Sequence, residues 1–268
     1  MIGHLHLVGS LPHVSLRDLA RKHGQDIMLL RLGAVNTVIV SSPRAAEAVL
    51  RTHDHALASR ARSPVADIIF YRCSDVAFAP LGDHWRQARK VLTAHMLSAR
   101  KVHSFRNYRE EEVRIAVAKI RAAASCAGTA TAAAVDMTEH LGSYMNDVVC
   151  RAVLGRHHRN DGRNKLIGEL VGINISLLGG FNVEDYFPSL AMSDVFTGIV
   201  CRGAKRVRKR WDELLDKLID EHGRHREQED DASADFIHVL LSLQEEYGLT
   251  TYNVKAILVV SSTSIFFF

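Results

Sequence analysis

Hydrophobic and polar positions alternate first with a helical and then with a strand period. Ser15 precedes Leu16-Arg17-Asp18, a cap with an acid three residues on, which predicts a helix that Gly24 stops. Ile27 to Leu32 reads as a strand, Gly33 to Asn36 as a turn and Thr37 to Val40 as a second, β-branched strand, giving a hairpin. Ser42-Pro43 is an N-cap with proline at the first helical position, opening a helix through Leu50. Residues 56–80 are irregular, with Pro64 and Pro80 as breakers. A basic helix then runs from Asp83 toward His95. A long helix opens at Ser104 and gathers Val113, Ala116, Val117 and Ile120 on one face. The Ala-rich stretch 122–134 is a connector, and Met137 to Leu154 is a helix that Gly155 ends. Further helices are expected at 164–178, 194–222 and 236–247, with an exposed charged loop at 223–234. No repeat is present. The pattern is mainly α with a small N-terminal β-hairpin, and the lack of βαβ alternation excludes doubly wound and barrel enzymes.

Composition narrows the picture only a little. The 268 residues are 47% hydrophobic and 24% charged, as in an ordinary folded chain, which excludes disordered, collagen-like and multi-span membrane classes. The length suits one large domain or two small ones. Lys and Arg number 34 against 30 Asp and Glu, a net charge of +4. The densest basic run, Arg202 to Arg210, has no interleaved aromatic and is followed by Asp212, Glu213 and Asp216. It reads as a solvated helix face, so no nucleic-acid partner is expected. The cysteines at 73, 126, 150 and 201 lack metal or disulfide spacing and are expected to be reduced, inert thiols. The pairs His4/His6, His53/His55 and His157/His158 have no ligand partner at metal spacing, so no metal site of side chains is expected. No secretory signal and no run of about 18 apolar residues appear.

One pair carries candidate chemistry. Trp85 and Arg89 are four apart and share a helix face. An indole N–H and a forked guanidinium side by side can clamp a carboxylate. The same pair also reads as simple cation–π packing.

The segment Ala77-Phe78-Ala79-Pro80-Leu81-Gly82-Asp83-His84-Trp85-Arg86-Gln87-Ala88-Arg89-Lys90 resembles the C-helix region of plant cytochrome P450s. Their pattern there is close to A-F-A-P-Y-G-x-x-W-R-x-x-R-K. Other blocks resemble the family in the same order: Ile2 to Leu5 the end of its hinge, Ala58-Ser59-Arg60 the element before its B–C loop, and Val135-Asp136-Met137 with Asn146 to Arg151 its E-helix region. Asp185 to Leu190 resembles its F–G connection, and Asp235 to Leu241 the segment before its I helix.

The resemblance implies a partial P450 fold, a haem b cofactor and O2-dependent oxidation of a small apolar molecule, with electrons from NADPH-cytochrome P450 reductase at the endoplasmic reticulum. By resemblance, Trp85 and Arg89 hold a haem propionate. Ile69, Phe70 and Phe78 fall in the substrate-lining loop. Arg86, Lys90, Arg100 and Lys101 fall on the basic face that meets an acidic reductase. The family's haem-binding signature, F-x-x-G-x-R-x-C-x-G, does not occur in these residues, and Val259 to Phe268 departs from the I-helix motif. The expectation is therefore a single incomplete domain, without anchor or iron ligand, that is inactive alone. The alternative is a non-catalytic fragment that binds other proteins through an exposed Ile265 to Phe268 tail.

Overall fold

A computed structural model describes residues 2–125, 134–155, 158–188, 200–224 and 235–263. The expected connector core at 126–133, helix start at 194–199, charged loop at 225–234, His157 and the tail Ile265 to Phe268 lie outside the described residues. The chain divides into two compact units, Met1–Val65 with Gly180–Gly203, and Ala66–Gly179 with Ala204–Phe268.

In the first unit, helix α1 (Pro12–His23) precedes strands β1 (Ile27–Leu32) and β2 (Val35–Val40). The hairpin is antiparallel, with Ile27 opposite Val40 and Leu32 opposite Val35. The turn is thus two residues, shorter than the sequence suggested. Gly33 makes it possible: its φ is +64°, and a Cβ there would meet the Tyr186 carbonyl oxygen at 2.6 Å. Helix α1 also starts earlier than expected. Pro12 occupies its first turn, and Ser15 lies inside it, accepting from the Gly9 N–H at 3.0 Å. Alternate β1 residues Met28, Leu30 and Leu32 pack with Ala20 into a small core that Leu16, Leu19, Ile39 and Tyr186 flank. Helices α2 (Pro43–Glu47) and α3 (Asp54–Leu57) follow. Ser42 caps α2 as predicted, its hydroxyl accepting from Ala45 N–H at 3.3 Å.

The second unit is helical. Its elements are α5 (Asp83–His95), α6 (Ala99–Ser104), α7 (Arg106–Ser125), α8 (Met137–Leu154), α9 (Arg163–Gly179), α12 (Phe236–Ser242), α13 (Gln244–Tyr247) and α14 (Thr251–Thr263). Helix α4 (Pro64–Ile69) leads into it. Pro64 starts a helix there rather than breaking one, because its fixed φ suits a first turn. Short α10 (Val183–Tyr186) belongs to the first unit, and α11 (Val200–Arg224) contributes from Ala204 onward.

Helix α8 is the hub, packed against α7, α9, α12 and α14. Asp136 caps it, and Gly155 ends it at φ +68°, where a Cβ would sit 2.7 Å from the Asp235 carboxylate. On α11, Val207, Trp211, Leu214, Leu215 and Leu218 form one buried stripe. Helix α14 is buried from Val254 to Thr263. Asn174 on α9 ties both: it accepts from the Trp211 indole at 3.4 Å and donates to Thr263 at 3.4 Å.

Two expectations fail in α7. The helix begins at Arg106, after a separate turn of helix that Ser98 caps. Its anticipated apolar face is open, with Val113 and Val117 exposed, while Glu112 is buried. The reason is electrostatic. Arg151 Nη1 donates to Glu112 at 2.9 Å, Arg159 donates to both Glu112 oxygens, and Arg159 also reaches Asp147 at 3.0 Å. Asn164 completes the group by donating to Asp147 at 2.6 Å.

The stretch Asn160–Tyr186 is long and apolar enough to cross a membrane by length and composition. Within it, α9 packs on α8 and α14 and buries Ile167, Leu170, Val171 and Asn174, and 28% of the apolar window is buried.

Candidate functional site

Helix α5 carries the candidate clamp. Gly82 releases the chain into it, and Asp83 in its first turn suits the positive end of the helix dipole. Ala88 and Val91 face the core. Gln87 donates to the Tyr247 carbonyl, and Lys90 lies over the Tyr247 ring at 5.7 Å, so α5 is pinned to the end of α13.

The structure brings Trp85 and Arg89 together. The guanidinium sits over the indole ring at 5.0 Å. Arg89 is exposed, and among the described residues its guanidinium makes no ion pair or hydrogen bond. The half-buried Trp85 turns its N–H to the Val76 carbonyl at 3.0 Å. The pair is thus a cation–π stack with an open guanidinium, and the indole N–H is taken by backbone.

The loop before α5 is unusual. Tyr71, Arg72 and Cys73 all have left-handed backbone, with φ of 56°, 59° and 52°. Three such residues in a row without glycine are strained and need outside support. Tyr71 supplies it. Its ring is fully buried, and its hydroxyl donates to Asp212 at 2.8 Å. Arg208 lies over that ring at 3.2 Å and donates to Asp212 at 3.0 Å and to the Ile68 carbonyl at 2.9 Å. Lys255 donates to Asp212 at 3.0 Å and pairs with Asp216 at 2.7 Å. Burial and the hydrogen bond to Asp212 raise the Tyr71 phenol far above its ordinary range. Burial alone would raise Asp212, but hydrogen bonds from Lys255 and Tyr71 outweigh it and hold the carboxylate below its usual value. This network escaped the sequence reading, although Lys255 was a signal as the lone charge in an apolar run. Arg208 also corrects that reading locally: Lys205, Arg206 and Lys209 are solvated as expected, but Arg208 turns inward. Tyr71→Phe is expected to lower stability by about 1.5–3 kcal/mol in urea titration, the loss of one hydrogen bond to a charged acceptor.

Of the loop's candidate pocket residues, Ile69 and Phe70 are fully buried. Phe78 is half-buried and stacks on Phe70 with ring centroids 4.9 Å apart. Among the basic candidates, Arg86, Lys90 and Arg100 are exposed, with Arg86 paired to Asp83 at 2.7 Å, and Lys101 lies over the Phe105 ring at 5.2 Å. No group of three His, Cys, Asp or Glu able to hold a metal occurs among the described residues. Burial pushes the Cys150 thiol to about 12, which makes it inert.

The cytochrome P450 family model matches residues 1–266. The chain belongs to the cytochrome P450 family. Its relatives include three from Zea mays. It is 60% identical to a 3-hydroxyindolin-2-one monooxygenase, 57% to an indolin-2-one monooxygenase and 56% to an indole-2-monooxygenase. Each match covers 97% of this chain and 48% of the relative, so the chain spans about half the length of these P450s. A solved structure of a zebra fish cytochrome P450 with progesterone has the same fold, with a TM-score of 0.72 at 18% identity over 94% of this chain and 55% of that one. The architecture is thus a partial P450 fold, mainly α with one small hairpin. P450s are haem monooxygenases that draw electrons from redox partners. On α5, Arg89 is an open, forked cation that suits a carboxylate such as a haem propionate, while the Trp85 N–H is taken by the Val76 carbonyl and the indole supports the guanidinium from below.

Proposed function

We propose that this chain is the N-terminal part of a haem monooxygenase that oxidises a flat, fused-ring aromatic molecule of the indole or indolinone type. The identity of 56–60% to relatives named for indole, indolin-2-one and 3-hydroxyindolin-2-one supports the substrate class. The observation that carries the haem reading is the exposed Arg89 guanidinium held against Trp85 on α5. In this reading Arg89 and Trp85 hold one haem propionate and so fix the macrocycle's orientation relative to α5. The bound haem supplies dioxygen activation. Phe78, the one aromatic of its loop trio with open surface, offers a planar face to the substrate, and Phe70 and Ile69 back it from the core. Arg86, Lys90, Arg100 and Lys101 form the basic face for NADPH-cytochrome P450 reductase, at the cytosolic side of the endoplasmic reticulum.

Hemin titration of the 268-residue protein, followed by Soret absorbance and tryptophan quenching, tests the clamp. Arg89→Leu is expected to weaken hemin binding about tenfold, roughly 1.4 kcal/mol. Equal affinity in the variant would refute the clamp. The chain alone is expected to lack the family's thiolate-type band when reduced under carbon monoxide, and that band appearing would show that the residues here complete the iron site.

A further inference from the structure

Asp75 is fully buried, and one of its carboxylate oxygens, Oδ2, has no partner. Its other oxygen accepts from two backbone amides, Ala77 N–H at 2.6 Å and Phe78 N–H at 2.9 Å. A side chain that binds its own backbone two and three residues on closes a tight turn. Val76, between the staple's ends, presents its carbonyl to the Trp85 indole at 3.0 Å. On the other side of Asp75, the Ser74 carbonyl meets His84 Nε2 at 3.2 Å. Two successive residues of α5 are thus tied to the two carbonyls that bracket Asp75. The left-handed residues 71–73 come just before, so this loop is shaped by side-chain staples rather than by local backbone preference.

We propose that Asp75 is a positioning residue for the Trp85–Arg89 anion site, setting the indole through the Val76 carbonyl and, through the ring on which it stacks, the Arg89 guanidinium. This rests on the haem-propionate reading above. Asp75 touches neither the anion nor the haem. It acts by holding the turn, and an asparagine, which keeps the same acceptor oxygen, would serve that purpose.

The chain has two tryptophans, so indole 15N-labelled protein gives two side-chain N–H resonances, assigned with Trp85→Phe. Asp75→Ala is expected to move the Trp85 resonance and leave that of Trp211 in place, while Asp75→Asn leaves both. In hemin titration, Asp75→Ala is expected to weaken binding about tenfold in the parent and to add nothing in the Trp85→Phe background. An unmoved Trp85 resonance, or the same weakening with Trp85 already removed, overturns the proposal. If Trp85→Phe and Arg89→Leu both bind hemin like the parent, the haem reading itself falls and the positioning role falls with it. The resonance arm, which needs no haem, tells that failure apart from a broken Asp75–Trp85 link. Should Asp75→Ala not fold, Asp75→Leu fills the same volume without an acceptor.

Discussion

Glu112→Ala is expected to destabilise the protein by about 3–5 kcal/mol, the range for removing one partner from a buried ion pair. Glu112 is 2% exposed and receives Arg151 and Arg159, with His158 at 3.5 Å. Removing the carboxylate leaves the buried Arg151 with only the exposed Glu111, and Arg159 with only Asp147. Glu111, which also pairs with Arg151 but is exposed, is the control: Glu111→Ala should cost less than about 1 kcal/mol, as surface pairs do. Urea titration of both variants decides it. Equal, small losses would mean that α7 is held to α8 by apolar contact rather than by the Glu112 ion pairs. Salt adds a second check, since a buried pair is screened far less than a surface one.

Asp75→Asn is expected to raise stability near neutrality relative to acid. Burial lifts the Asp75 carboxyl from 3.8 to about 6, against the lowering effect of its backbone hydrogen bonds and of His84. The folded protein therefore holds the Asp75 proton more tightly than the unfolded chain. Below about pH 4 the group is protonated in both states and imposes no penalty. As pH rises through 4 to 6, the unfolded chain releases the proton first and stability falls, by about 3 kcal/mol once the folded group has ionised. The stability difference between the asparagine variant and the parent should grow over that window and be level above it. Asp147 and Asp212, held low by their partners, act in the opposite sense and lose their contribution as pH falls. The difference between the two proteins cancels them. A difference that stays constant from pH 4 to 7 would mean that Asp75 is solvated.

How much of this was readable in the residues depends on how local each interaction is. The limits of α5 and α8 and the span of β1 follow from neighbouring residues: Gly82 before α5, Gly155 after α8, and the apolar run Ile27 to Leu32 that ends at Gly33. The pairing of Trp85 with Arg89 also follows from helix periodicity. The errors lie where distant residues decide. Glu112 is buried because of arginines about 40 residues away, so helical periodicity selected the wrong face of α7. Tyr71 is held by Asp212, 141 residues on, and nothing near it predicts three left-handed residues in a row. The indole N–H points to Val76 because Asp75 folds the loop back, a staple visible only once the turn is built.

Arg89, held against Trp85, is the proposed donor for a haem propionate. The most direct measurement is a crystal structure of the hemin-loaded chain. A propionate oxygen is expected within hydrogen-bond distance of the Arg89 guanidinium, with that guanidinium still stacked on Trp85 and the indole N–H still on the Val76 carbonyl. Haem bound elsewhere, with no propionate at Arg89, would contradict the proposed clamp.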